Sequence, residues 1–142
     1  MDDPYRLERF VDAQDRGGTY DRAVAELRAG RKQSHWMWFV FPQIVGLGSS
    51  PMAQEFAIGS LAEARAYLAH PILGPRLAEC SRTLSAAPDG TSATETFGPV
   101  DAMKLRSSIT LFAAAAPAEQ AFADVLARYF DGEPDQATLQ RL

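Results

Sequence analysis

Residues 35–43 read His-Trp-Met-Trp-Phe-Val-Phe-Pro-Gln and hold both tryptophans and four of the fourteen aromatic residues of the chain. Rings packed this densely must find a core, because each buries on the order of 150–250 Å². Polar groups close both ends: Lys32, Ser34 and His35 enter the run and Gln43 leaves it. The segment therefore sets hydrogen-bonding groups beside a rigid apolar wall. Alternation puts Trp36, Trp38 and Val40 on one side and Met37, Phe39 and Phe41 on the other, both apolar, so period alone does not separate a buried strand from a buried helix. With Ser34 as a cap and helical text around it, the reading is a short helix ended before Pro42.

Helix punctuation organises the rest. Asp3-Pro4 reads as a cap and first-turn pair, after which Leu7, Phe10, Val11 and Gln14 share one face until Gly17-Gly18. Thr19 is placed to cap a second helix carrying Tyr20, Ala23, Val24 and Leu27, with Gly30 as its stop. Residues 46–51, Gly-Leu-Gly-Ser-Ser-Pro, form a loop leading into another helix start. Ser60 and Glu63 make a capping box ahead of a stripe of Leu61, Ala64 and Leu68. A following helix carries Leu73, Leu77, Cys80 and Leu84, with Pro71 and Pro75 at its beginning, where a missing amide costs least. Residues 85–96 read as a surface loop. A long helix runs from Pro99 to about Ala116, another carries Phe122 to Phe130, and a short one ends the chain. The fold class expected is all-α: residues 1–142 as one domain of six to eight helices packed at mixed angles.

Composition narrows the function. A net charge of −4 with both signs interspersed gives no basic face for a phosphate backbone, so nucleic acid is not an expected partner. No apolar stretch approaches the roughly 18 residues of a membrane span, and the start Met1-Asp2-Asp3-Pro4 is acidic where an export signal is basic. One cysteine and two histidines allow neither an internal disulfide nor a usual zinc spacing, so no metal or cofactor is expected and the location expected is cytoplasmic.

The chain uses twelve arginines and only two lysines, Lys32 and Lys104. A lysine that survives such a bias is a candidate for a site needing a compact ammonium. Asp101, Lys104 and Ser108 fall at i, i+3 and i+7 of the long helix and form a polar stripe on one face. The stripe has two readings: Asp101 complementing the helix start and pairing with Lys104, or a pocket wall at which Lys104 meets an anion. In the same helix Val100, Met103, Leu111 and Ala114 face one way and Leu105, Ile109 and Phe112 another, so apolar residues wrap much of its circumference and the helix is expected to be central. His35 is either a satisfied core or capping residue or a general acid and base, since imidazole exchanges protons near neutral pH. Lys32 can hold a phosphate or carboxylate, and Trp36 and Trp38 can stack on a flat heterocycle. The glycines and serines of residues 46–50 resemble part of an anion-cradling loop, although they match neither a Walker motif nor a dinucleotide fingerprint.

Residues 30–43, Gly-Arg-Lys-Gln-Ser-His-Trp-Met-Trp-Phe-Val-Phe-Pro-Gln, with Gly46-Leu47-Gly48-Ser49-Ser50, resemble a bacterial family of small helical proteins of unknown function that often carries the automatic label calpastatin. Further matching segments are Glu63-Ala64, Tyr67-Leu68, residues 70–74 (His-Pro-Ile-Leu-Gly), Arg76-Leu77, Phe97-Gly98, Asp101, Lys104 and residues 107–112. The resemblance implies an all-helical intracellular domain and no particular activity. Both lysines fall inside the matching motifs, which points to a role for each. One departure is Phe56, where the family pattern has Tyr; a ligand site using that hydroxyl is altered here. The calpastatin label carries little weight, because such inhibitors are repetitive and largely disordered whereas this composition is that of a packed domain.

From these residues the expected function is binding of a small anionic, nucleotide-like ligand in a pocket lined by Lys32, Trp38, Gln43 and Ser108. His35, Asp101 and Lys104 are the candidate catalytic groups for hydrolysis or transfer on a nucleoside or phosphate derivative. The alternative is a non-catalytic protein–protein interaction module in which the aromatic run is purely structural.

Overall fold

A carboxylate starts the first helix from a distance. In the computed structural model, which describes residues 3–142, Asp3 accepts hydrogen bonds from the amides of Leu7 and Glu8 at 2.7 and 3.0 Å. Pro4 lies in a turn and Arg6 takes a left-handed φ of 51°, so α1 begins only at Glu8 and spans Glu8–Asp15. The acidic leader reading at Met1 and Asp2 lies outside the described residues.

Gly17 and Gly18, both left-handed, then turn the chain into α2, Thr19–Ala29, which Gly30 ends with a φ of 72°. Thr19 is not the cap expected of it. It is the first helical residue, and its hydroxyl donates back to the carbonyl of Arg16. The aromatic run does form a single helical turn before Pro42, α3, Met37–Val40, but Ser34 does not cap it because its hydroxyl and amide both go to Glu26. Ser50 caps α4, Pro51–Glu55.

Ser60 caps α5, Leu61–Ala69, through the Glu63 amide as the motif requires, whereas Glu63 reaches back to the amide of Gly59 rather than Ser60. Its other oxygen takes Arg9 of α1 at 3.2 Å, so the box also ties two helices together. The stripe of α5 turns on Ala64 and the fully buried Tyr67; Leu61 and Leu68 are only half-buried. The helix α6, Leu73–Ser85, starts where His70 Nδ1 accepts from the amides of Ile72 and Leu73.

A Cβ at Gly74 would sit 2.0 Å from the carbonyl oxygen of Leu68, so the α5–α6 corner closes only because that atom is absent. Gly74→Ala is expected to lower the unfolding free energy by about 2 kcal/mol, read from urea denaturation, since neither backbone can yield cheaply.

Residues 85–96 are not all loop: Ser92 and Glu95 form a full capping box on α7, Ala93–Phe97, a turn too short to show in hydrophobic periodicity. Beyond it run α8, Pro99–Ala115, α9, Gln120–Phe130, and α10, Gln136–Leu139. The described residues thus hold six helices of eight or more residues and four single turns. No strand forms among them; Ile44 and Ile58 make one isolated parallel bridge, closed by bonds from the Ile58 amide to Gln43 and from the Val45 amide to Ile58.

The helix α8 is central, with Leu105, Ile109, Leu111 and Phe112 fully enclosed. Phe10, Tyr67, Phe112 and Phe122 stack in a ring-to-ring chain at 5.2, 5.2 and 6.1 Å that joins α1, α5, α8 and α9. Cys80 is core as expected, and burial pushes its thiol up to about 12.

Candidate functional site

Two distant stretches do meet. The loop before α3 and the first turns of α8 come together through Asp101, whose two oxygens take Lys32 Nζ at 2.8 Å and Lys104 Nζ at 3.4 Å. Each ammonium also lies over an indole, Lys32 5.2 Å from the Trp36 ring centre and Lys104 4.9 Å from that of Trp38. The likeness between the two ends there. Lys32 is 8% exposed and donates as well to the carbonyl of Ser34 at 2.6 Å, while its amide bonds the carbonyl of Thr96. It is a fully partnered clamp between the aromatic loop, α7 and α8. Lys104 is 25% exposed and holds only one long contact to Asp101.

Trp36 and Trp38 divide in the same way. Trp36 is completely enclosed, with Phe41 and Phe97 at 6.3 and 6.4 Å, and its indole nitrogen donates to Glu26 at 2.8 Å. It has no face left for a ligand. Trp38 is half-buried and lines a cleft of about 410 Å³, together with Gln43, Lys104, Ser107, Asp135 and the glycine–serine loop at residues 48–50. Within the described residues neither the Trp38 indole nitrogen nor the Gln43 amide makes a hydrogen bond inside the protein.

Of the residues nominated from sequence, Trp38, Gln43 and Lys104 therefore share this cleft, with Asp101 directly behind the lysine. Three do not. Lys32 is sealed beneath Asp101. His35 is exposed and absent from the cleft walls, because Glu26 and Lys32 fix the loop with Trp36 inward and its neighbour outward. Ser108 is on the stripe, but two turns along the helix that face is covered; its side chain is fully buried and its hydroxyl has no partner among the described residues.

The cleft wall from α8 is instead Val100, Met103, Lys104 and Ser107, an i, i+3, i+4, i+7 face legible in the sequence once Lys104 is taken as its centre. The helix is central as expected, but its apolar wrapping is left uncovered at Val100 and Met103, which are 65% and 72% exposed. Hydrophobicity cannot say which side of a nearly all-apolar helix is left uncovered.

Two acidic residues were missed. Glu26 gathers the amides of Gln33 and Ser34, the Ser34 hydroxyl and the Trp36 indole nitrogen, all between 2.6 and 2.9 Å. Burial works to raise its carboxyl, but those donors outweigh it and hold the group at about 2. Asp135 caps α10, and a single oxygen, Oδ2, takes the Ser107 hydroxyl at 3.1 Å together with the amide and hydroxyl of Thr138 at 3.0 and 2.6 Å. Its place four residues before Leu139 is an ordinary capping signal; nothing in the sequence shows that the cap also faces a cleft.

The family described as Protein of unknown function (DUF1810) matches residues 4–142. The chain belongs to this family. The crystal structure of the conserved hypothetical protein Rv1873 from Mycobacterium tuberculosis is similar throughout: it shares 54% identity over 99% of this chain and 98% of its own, with a TM-score of 0.94. No curated protein matches. The helical class read from the sequence is thus shared with a solved fold, and neither relative carries an activity to transfer. Among the described residues no helix is long and apolar enough to cross a membrane, and no three His, Cys, Asp or Glu side chains gather as metal ligands.

Proposed function

We propose that this family member binds a small anionic, nucleotide-like ligand in the cleft between α8, the loop at residues 43–50 and the segment that carries Asp135. The observation that carries the reading is Lys104: an incompletely paired ammonium over the Trp38 ring, in a cleft of about 410 Å³. That volume lies within the roughly 300–1,000 Å³ of small-molecule sites. Asp101 holds the lysine in place while Lys32 neutralises Asp101 from behind, which leaves the Lys104 charge available to a ligand. A cytoplasmic protein acting on a soluble metabolite fits this reading. Hydrolysis or transfer on the bound molecule would have to use Lys104 and Asp135, because His35 is outside the cleft.

The second reading, a docking module for another protein, draws support from apolar side chains in the wall of the same cleft: Val100 and Met103 are both exposed.

Thermal denaturation with adenosine monophosphate, inosine monophosphate and inorganic phosphate separates the two. A ligand at 100 times its Kd stabilises by about 2.7 kcal/mol, which raises the Tm by several degrees. The rise is expected with the nucleotides and is expected to vanish at the same concentration in Lys104→Ala, whose own Tm stays near that of the parent. No rise with any of the three overturns the ligand reading; unchanged binding by Lys104→Ala overturns the role of the lysine.

A further inference from the structure

We infer that Asp135 makes the site selective for ligands that carry an N–H donor in addition to their anionic group; this rests on the ligand cleft proposed above and specifies its substrate class. Lys104 and Asp135 are the two ionisable residues that line the cleft, one of each sign. A site for a bare anion gains nothing from the second. Asp135 is also held in one orientation: its amide donates to the Thr110 hydroxyl at 2.8 Å, and Oδ2 collects three donors from Ser107 and Thr138. Oδ1 has no partner among the described residues. A carboxylate fixed through one oxygen, with the other left open in a concave wall, is a preorganised acceptor.

Ser107 connects the two charges. It lies three residues after Lys104 on the same face of α8, and its hydroxyl donates to Asp135 Oδ2, so both groups are referred to one rigid helix. The ligand class that satisfies both ends has a phosphate or carboxylate for Lys104 and an amino group for Asp135 Oδ1, with a flat apolar body between them to meet Trp38 and Met103. Aminopurine or aminopyrimidine nucleotides have this pattern. A purine nucleotide without the amino group offers no N–H there and leaves the half-buried carboxylate oxygen unpaired, and a site built around a donor rejects the analogue that lacks it.

Isothermal titration with adenosine monophosphate and purine riboside monophosphate, which share the phosphate and differ in an amino group against a hydrogen on the base, tests this on the whole chain. Adenosine monophosphate is expected to bind at least ten times more tightly. Asp135→Asn retains a capping side chain, so its fold is expected to persist, with a Tm close to that of the parent. Its amide can turn an N–H toward the cleft, so the preference should fall at least tenfold or reverse. Equal affinities for the two nucleotides in the parent overturn the inference and leave the cleft reading standing. A preference unchanged in a folded Asp135→Asn also overturns it. Binding of neither nucleotide removes both.

Discussion

Trp36→Ala is expected to lower the unfolding free energy by about 4 kcal/mol, the larger end of what a single core truncation costs. The indole is wholly enclosed and is the ring around which Phe41, Phe97 and Lys32 are arranged. Removing it opens a cavity, strips Glu26 of one of four donors, and takes away the apolar surface against which the Lys32 ammonium lies. Chemical denaturation of the folded variant measures the loss. A change below about 1 kcal/mol would mean that the loop repacks without its ring, and that the aromatic run does not organise the fold. Trp36→Phe, which fills most of the space and lacks the N–H, is expected to fall between the parent and the alanine variant.

The second large effect belongs to Glu26. Glu26→Ala is expected to cost about 3 kcal/mol, because hydrogen bonds to a charged group contribute roughly 1.5–3 kcal/mol each before the donors find water, and the buried Trp36 N–H cannot find it. This residue also gives the protein a pH dependence of defined sign. The folded carboxyl titrates at about 2, below its ordinary value of 4.5, so protonation favours the unfolded chain. The stabilisation is complete above about pH 4.5 and is lost as the pH falls toward 2. Unfolding free energies of the parent and Glu26→Gln, measured between pH 6 and pH 3, should therefore converge on acidification. A gap that stays constant with pH would show that the carboxylate charge has no part in holding the loop.

The same carboxylate explains which nominated residues reached the cleft. By fixing the amides at 33 and 34, the hydroxyl of Ser34 and the indole of Trp36, Glu26 sets the loop so that alternate side chains go in and out. His35 is turned to solvent and Trp36 to the core. One residue in α2, nine positions before His35, thereby removes the imidazole from the candidate site, and no pattern within the aromatic run could have foretold it.

Local chemistry was sufficient for what is local. Helix starts and stops at Gly30, Ser50, Ser60 and Pro99 and the single turn before Pro42 all follow from capping groups and backbone restriction, whose effects reach no further than a turn or two. The pairing of Lys32 and Lys104 through Asp101 needed the fold. So did the exposure of Val100 and Met103, the burial of Ser108, and the meeting of the Asp135 cap with the face of Ser107. These depend on which neighbouring helix covers which side of α8, and on a burial that a helix period leaves undetermined when nearly every side is apolar.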